Sequence, residues 1–171
     1  SAILQKNGRP FSFTVTINAE QTENLQAAQI IQASLKNVGI TVTIRQVEWQ
    51  TFRHSIITSR DFEAVLISRA YLWDPDIYEL WHSSKVGEGD WNITSYRNRH
   101  VDLLLEKGRR TINEQERRHI YREVHRRISS DRPVIFLYNA DGIFLAPSNL
   151  NTPGSSPLGI FHNLYRCSWK S

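Results

Sequence analysis

The run Ser68-Arg69-Ala70-Tyr71-Leu72-Trp73-Asp74 gathers side chains suited to holding a small polar ligand. Arg69 carries a planar guanidinium that pairs with a carboxylate through two parallel hydrogen bonds or stacks on a ring. Tyr71 and Trp73 supply broad, stiff contact surface with a polar tip, and Ser68 and Asp74 bracket them with polar groups. The run also follows an apolar segment of strand length, and open α/β sheets place their ligands just past the carboxyl ends of strands. Ser68, Arg69, Tyr71, Trp73 and Asp74 are therefore the candidate ligand-binding residues. A plainer reading stands beside this one, with Tyr71 and Trp73 as packing and Asp74 as a helix N-cap.

Other chemistry is weaker. The arginines between Arg109 and Arg132 could neutralise several phosphates. They alternate, however, with Glu114, Glu116 and Glu123, and the four-residue steps Glu114 to Arg118 and Glu123 to Arg127 suit a solvated helix face. No recognised nucleic-acid motif or interleaved aromatic series accompanies them, so no nucleic-acid partner is expected, and a basic nucleic-acid-binding domain is kept only as the alternative of another class. His119 with Glu116 or Glu123 has helical spacing, but two ligands on one helix are poor grounds for a metal. Asn92-Ile93-Thr94 matches a glycosylation sequon. No nucleophile elbow, Gly-rich phosphate loop or HExxH occurs, so neither an enzyme nor a cofactor is expected.

The elements that must position these groups show in the apolar periodicity. Phe11, Phe13, Val15 and Ile17 alternate with Ser12, Thr14 and Thr16 as a strand does. Ala28, Ile31, Leu35 and Val38 form the stripe of a helix over residues 22–38, which Gly39 caps in the left-handed region. Ile40, Val42 and Ile44 alternate again. Strand, helix and strand with short joints make a βαβ unit, so the two strands should be parallel. Trp49, Phe52, Ile56 and Ile57 fit a short amphipathic helix. Phe62 to Ser68 reads as a third strand, apolar on both faces because helices cover both sides of the sheet. Asp74-Pro75-Asp76 reads as the start of a helix, with Asp74 at the N-cap and Pro75 at the first helical position. Residues 83–92 read as a loop and 101–108 as a short helix. Asn113 to Glu116 opens a longer helix with Ile120, Val124 and Ile128 as the stripe that holds it to the sheet. Pro133 ends that helix, and Val134 to Tyr138 reads as a further strand. Past Asp141, Pro, Gly, Ser and Asn crowd together in an irregular tail.

At 171 residues the chain suits one domain, or one domain plus a tail. Charged residues at 22% and hydrophobic residues at 40% read as globular, and no apolar run is long enough to span a bilayer. The net charge of +4 permits an acidic partner without demanding one. Cys167 is the single cysteine, which excludes an intrachain disulfide framework.

Taken in order, these pieces resemble the extracellular solute-binding proteins of family 5, the dipeptide, oligopeptide and nickel class. The resemblance rests on an apolar strand (Phe62 to Ile67) and on Trp73-Asp74-Pro75-Asp76-Ile77-Tyr78 running to Leu80-Trp81-His82-Ser83-Ser84. It continues through Asn92, Tyr96-Arg97-Asn98 and Val101-Asp102-Leu103-Leu104, then Arg117 to Tyr121 and Asp131-Arg132-Pro133-Val134-Ile135. Val38-Gly39-Ile40 and Glu48-Trp49 fit the opening of that family's second lobe. The resemblance implies an α/β lobe with a mixed sheet around a parallel βαβ core and helices on both faces. Residues 10–140 would be the carboxyl-terminal ligand-binding lobe, and residues 141–171 an extended tail returning to an absent first lobe. It further implies the substrate-binding component of an ABC importer, periplasmic or extracellular or lipid-anchored, with a membrane permease as partner. The ligand would be a peptide, or else an opine, a sugar or a metal chelate.

One departure bears on the ligand. Peptide-binding members of the family carry an Asp three residues before the Asp-Pro pair, where it receives the ligand's ammonium group, and a Trp three residues before that Asp. Here those positions hold Tyr71 and Ser68. The amine receptor is thus missing or displaced to Asp74.

Overall fold

The computed structural model describes residues 5, 6, 8–69, 74–139, 145–152 and 165–170. In chain order its elements are β1 (Gln5–Lys6), β2 (Arg9–Pro10), β3 (Ser12–Asn18), α1 (Thr22–Asn37), β4 (Thr41–Val47) and α2 (Trp49–Arg53), which runs on into a π-helical turn (His54–Thr58). Then come β5 (Ala64–Val65), α3 (Tyr78–Trp81), α4 (Arg99–Arg110), α5 (Glu114–Asp131), β6 (Leu150–Asn151) and β7 (Ser168–Trp169).

The alternating segments form the expected βαβ unit. β3 is the middle strand of a sheet ordered β4-β3-β5. It pairs in parallel with both neighbours, Ser12 opposite Thr41 and Val15 opposite Ala64. Because successive strand side chains point to opposite faces, the third strand serves two cores at once. Ala64 and Leu66 pack with Val15, Ile17, Val42 and Ala28 of α1, while Val65 and Ile67 pack with Phe52, Ile56 and Ile57 of α2 and the π turn. Helices therefore cover both faces, which is why this strand reads as a continuous apolar run. Its ladder is shorter than residues 62–68: only Ala64–Val65 is regular strand, and the Leu66 amide extends the ladder by donating to the Thr16 carbonyl at 3.1 Å.

Gly39 has φ +80°, the left-handed geometry that a Cβ would oppose, and its amide closes α1 by donating to the Lys36 carbonyl. The buried stripe of α1 begins earlier than its spacing suggests. Asn24 and Ala28 are buried with Leu25 packed alongside, whereas Val38 is 59% exposed.

The arginine-rich helix packs on α4, not on the sheet. Asn98 caps α4 by accepting from the His100 and Val101 amides, and Asn113 caps α5 by accepting from the Glu116 amide at 2.9 Å. Val101 and Leu105 of α4 meet Ile120, Tyr121, Val124 and Ile128 of α5, all buried. Gly108 permits the close approach, since a Cβ there would lie 3.0 Å from the Tyr121 ring. At the far end Tyr96 and Asn98 both donate to Asp131 Oδ2, at 2.6 and 2.8 Å. Arg132 then turns into the left-handed region at φ +52° and stops the helix before Pro133.

Two further expectations differ from the structure. The helix after Asp74-Pro75-Asp76 begins only at Tyr78, so Asp74 is not its N-cap; instead Asp76 Oδ1 accepts from the Tyr78 amide at 3.0 Å. Residues 134–138 are not a strand: they have no ladder partner among the described residues, and Ile135, Phe136, Leu137 and Tyr138 are exposed. Strand propensity without a pairing edge does not make a strand.

The chain divides into two compact units, Ser1–Ala70 with Asp76–Pro133, and Tyr71–Pro75 with Val134–Ser171. The described part of the second unit holds an antiparallel pair with Leu150 opposite Trp169 and Asn151 opposite Ser168. Lys170 supports it by donating its backbone amide to the Asn149 carbonyl and its ammonium to the Ser148 carbonyl, each at 2.8 Å. Among the described residues no helix is long and apolar enough to cross a membrane.

Candidate functional site

The parallel strands end on the same edge of the first unit, and there the polar residues collect. Asn18 closes β3; it is buried and accepts from the Glu20 amide through Oδ1 at 3.2 Å. The Ala19 amide donates to the Val47 carbonyl at 2.8 Å, locking the end of β3 to the end of β4. Glu48 follows directly and caps α2, accepting from the Gln50 and Thr51 amides and the Thr51 hydroxyl. Those bonds, the Thr51 hydroxyl first, hold its carboxyl below the usual carboxylate range. Trp49, stacked on Phe52 with ring centroids 6.1 Å apart, stays 40% exposed beside it.

Of the candidate binding residues, Ser68 and Arg69 come off the third strand onto this edge. The Ser68 hydroxyl donates to Asn24 Oδ1 at 3.0 Å, and the Asn24 amide donates to Gln21 Oε1 at 2.6 Å. The end of the strand is thereby tied to the first turn of α1 through a buried asparagine. The Arg69 guanidinium carbon lies 4.0 Å from the centroid of the Trp91 ring. Asp74 is exposed and belongs to the second unit. Tyr71 and Trp73 lie outside the described residues.

Trp91, which the Arg69 guanidinium meets on this edge, is a contact that the sequence does not announce, because it sits in a polar loop. The loop is held firmly. Asp90 Oδ2 accepts from the Gly87 amide at 3.0 Å. Asn92 is fully buried, donating its amide to the His82 and Tyr96 carbonyls at 3.1 and 2.9 Å and accepting from the Tyr96 amide at 3.0 Å. A glycan could not reach that nitrogen, so the sequon is structural. From the other side Arg60, itself at φ +52°, donates to the carbonyls of Val86 and Gly87 and to the Ser95 hydroxyl. Ile93 packs under the loop against the Phe52 and Ile56 core.

A second cluster lies on the α3–α4 side. Tyr78 stacks on His82 with centroids 4.1 Å apart, and Arg109 lies 3.9 Å over the same Tyr78 ring. Arg109 also reaches Asp76 at 2.7 Å and Glu79 at 3.5 Å. Burial works against its charge, but the two acids outweigh it and raise its pKa. Tyr78, Glu106, Arg109 and Arg110 line an open cleft of about 220 Å³. Arg109 of α4 is held there by Asp76 and Glu79 and by the Tyr78 ring, which marks the cleft as the joint that holds α3 on α4.

The arginine helix shows one of the two expected pairs. Arg118 reaches Glu114 at 2.6 Å, but Glu123 turns to His100 at 2.9 Å instead of Arg127. Among the described residues no cluster of three or more His, Cys, Asp or Glu could hold a metal ion.

Residues 2–90 match the family model described as bacterial extracellular solute-binding proteins, family 5 middle. The chain is 30% identical over 163 residues to the oligopeptide-binding protein AppA of Bacillus subtilis, covering 95% of this chain and 30% of that protein. The structure of that AppA in complex with a nonapeptide superposes with a TM-score of 0.74 and 26% identity, over 99% of this chain and 34% of the other. The periplasmic binding protein DppA from Helicobacter pylori, in complex with the peptide STSA, matches with a TM-score of 0.64 and 28% identity over 72% of this chain and 24% of its own. The chain thus spans about a third or less of the length of these relatives.

Proposed function

The chain belongs to the family 5 bacterial extracellular solute-binding proteins, and from that premise we propose that it forms one lobe of the ligand cleft of an ABC importer's substrate-binding component. Its role is binding, not catalysis, and the ligand is a peptide or a related small molecule. The observation that carries the reading is the placement of Arg69, at the carboxyl edge of a parallel sheet with its guanidinium carbon 4.0 Å from the centroid of the Trp91 ring. That edge is where open α/β sheets bind ligands. The lobe is proposed to comprise residues 10–140, with residues 141–171 returning to a further lobe of a longer chain. Exposed Ile135, Phe136, Leu137 and Tyr138 support a covering surface outside this unit, because a soluble protein seldom leaves such a run in water. Closure of two lobes over the ligand would create contacts absent from the open form, and a membrane permease would read that closed form in the periplasm or at the cell exterior.

Within this role the ligand need not be a simple peptide. Tyr71 stands where peptide-binding relatives place the ammonium-binding Asp, so a charge-assisted hydrogen bond of about 1.5–3 kcal/mol is lost. Free amino termini should then contribute little, while Arg69 favours a carboxylate or another anionic group. An opine, a sugar or a metal chelate fits the same role. Calorimetry with trialanine, its amino-acetylated form and its carboxyl-amidated form tests this. Acetylation is expected to change affinity less than about threefold, and amidation to weaken it about tenfold. A collapse on acetylation would mean that a carboxylate, with Asp74 the first candidate, still receives the amine. Nucleic-acid binding by α5 would instead appear as a salt-dependent gel shift.

A further inference from the structure

We propose that the outward ridge of α5 is a docking surface for an anionic lipid bilayer, which Arg122 and Arg126 meet as unpaired cations. The proposal rests on the reading of the chain as a lobe that serves a membrane importer, and adds how that lobe is held at the membrane. Every carboxylate of α5 is already engaged. Glu114 takes Arg118 at 2.6 Å, Glu116 takes Lys107 of α4 at 2.9 Å, and Glu123 takes His100 of α4 at 2.9 Å. Asp131 accepts from the Tyr96 hydroxyl and the Asn98 amide. Among the described residues no acid therefore pairs with Arg122 or Arg126, and both are exposed.

The helix geometry turns these arginines into one surface. Ile120, Val124 and Ile128 are buried against α4, while Arg118, Arg122 and Arg126 repeat at the same four-residue step away from that stripe, all exposed. A rise of 1.5 Å per residue spreads them over about 12 Å. That is close to the screening length of about 8–10 Å at ordinary salt, so neighbouring fields add. The ridge is the outer face of a single helix and carries no aromatic series, which suits a plane of charge better than a nucleic acid. Because α4 occupies the apolar stripe, α5 has no free apolar face to insert between lipid chains. Attachment is thus electrostatic, to lipid head groups. Each basic side chain near an anionic bilayer contributes about fivefold in affinity.

The test sediments the full chain with vesicles of phosphatidylcholine, either pure or carrying about 30% phosphatidylglycerol. Binding is expected to the anionic vesicles only, and should be lost as salt rises from about 0.05 to about 0.5 M. Arg122→Gln with Arg126→Gln should weaken it about 20-fold, whereas Arg122→Lys with Arg126→Lys should change it about twofold or less. Lys36→Gln with Arg53→Gln removes the same charge from exposed positions on α1 and α2, and should cost less than about threefold. Equal losses in the two glutamine pairs would make net charge, not the ridge, the cause and overturn the proposal. Binding that resists salt, or tighter capture of duplex DNA than of vesicles, would also overturn it. Calorimetry with trialanine keeps the two readings apart. A chain that binds trialanine but no vesicles overturns the docking surface alone, and one that binds anionic vesicles but no trialanine overturns the peptide-binding lobe alone.

Discussion

Replacing Asn92 by alanine should unfold the loop that carries Trp91 and cost the protein a large share of its stability. The side chain is 0% exposed, donates to the His82 and Tyr96 carbonyls, and accepts from the Tyr96 amide. Alanine would leave the Tyr96 amide and carbonyl without this partner, while the His82 carbonyl would keep only the Lys85 amide, at 2.9 Å. An orphaned buried polar group costs about 1–3 kcal/mol, and the space vacated is large enough for a water to recover part of it. The expected loss is therefore about 3–5 kcal/mol, at the high end for a single substitution. Urea unfolding followed by far-ultraviolet circular dichroism measures it, provided the slope with denaturant matches that of wild type. Asn92→Asp sharpens the test, since it keeps the acceptor for the Tyr96 amide but turns an anion toward two carbonyl oxygens. That carboxyl should have a raised pKa, so the variant should lose most stability near pH 7 and recover some as the pH falls and the group protonates. If Asn92→Ala costs under about 1 kcal/mol, or Asn92→Asp equals wild type at pH 7, the network does not hold the loop.

On α5, Val124 is 0% exposed and faces α4. Val124→Asp should cost several kcal/mol, about 3–5, whereas Arg126→Ala on the exposed face should cost under about 0.5; equal losses in thermal melts would refute this assignment of faces. The Asp131 carboxyl is held below its usual range, first by the Tyr96 hydroxyl and then by the Asn98 amide. A depressed carboxyl contributes stability above its unfolded pKa of about 4 and loses it as the pH falls through the folded value. Tyr96→Phe should thus lower stability at pH 7 and narrow its difference from wild type between about pH 4 and pH 2. A difference that stays constant on acidification would exclude the Asp131 hydrogen bond as the cause.

Much of this fold is legible because its signals are local. The alternation in β3 and β4, the stripe of α1 and the glycine that ends it need only a few neighbouring residues to be read, and so do Asn113 at the start of α5 and Pro133 beyond its end. What is not legible depends on partners distant in the chain. Val134 to Tyr138 has strand composition, yet a strand exists only where another edge accepts its hydrogen bonds. Asp74-Pro75-Asp76 looks like a helix start, but the acid that makes the turn is Asp76. The stripe Ile120, Val124 and Ile128 marks a buried face without saying whether a helix or a sheet covers it. At the site, Arg69 is visible because it follows an apolar strand, while Trp91 is not. Its contact with Arg69 spans 22 positions of chain, and nothing in a polar loop advertises that.

The order β4-β3-β5 also has a consequence for the time course of folding. Thr16 of the middle strand bonds with Arg45 of β4 across 29 positions, and Thr14 bonds with Glu63, at the start of the third strand, across 49. The entropy of closing a chain grows with the logarithm of its length, so the longer closure costs only about 0.3–0.5 kcal/mol more. The larger handicap is reward: β4 gains a seven-residue register on arrival, Ser12–Thr41 to Asn18–Val47, while β5 gains two paired residues, Val15–Ala64 and Thr16–Val65. The βαβ unit should accordingly nucleate first, and the third strand should dock after the rate-limiting barrier. Leu66→Ala is then expected to speed unfolding and leave the refolding rate nearly unchanged, whereas Val42→Ala should slow refolding. Arg69, three residues beyond Leu66, would reach the Trp91 ring only at the end of that sequence, so a nascent chain would carry a formed sheet before it carried this contact at the sheet's edge.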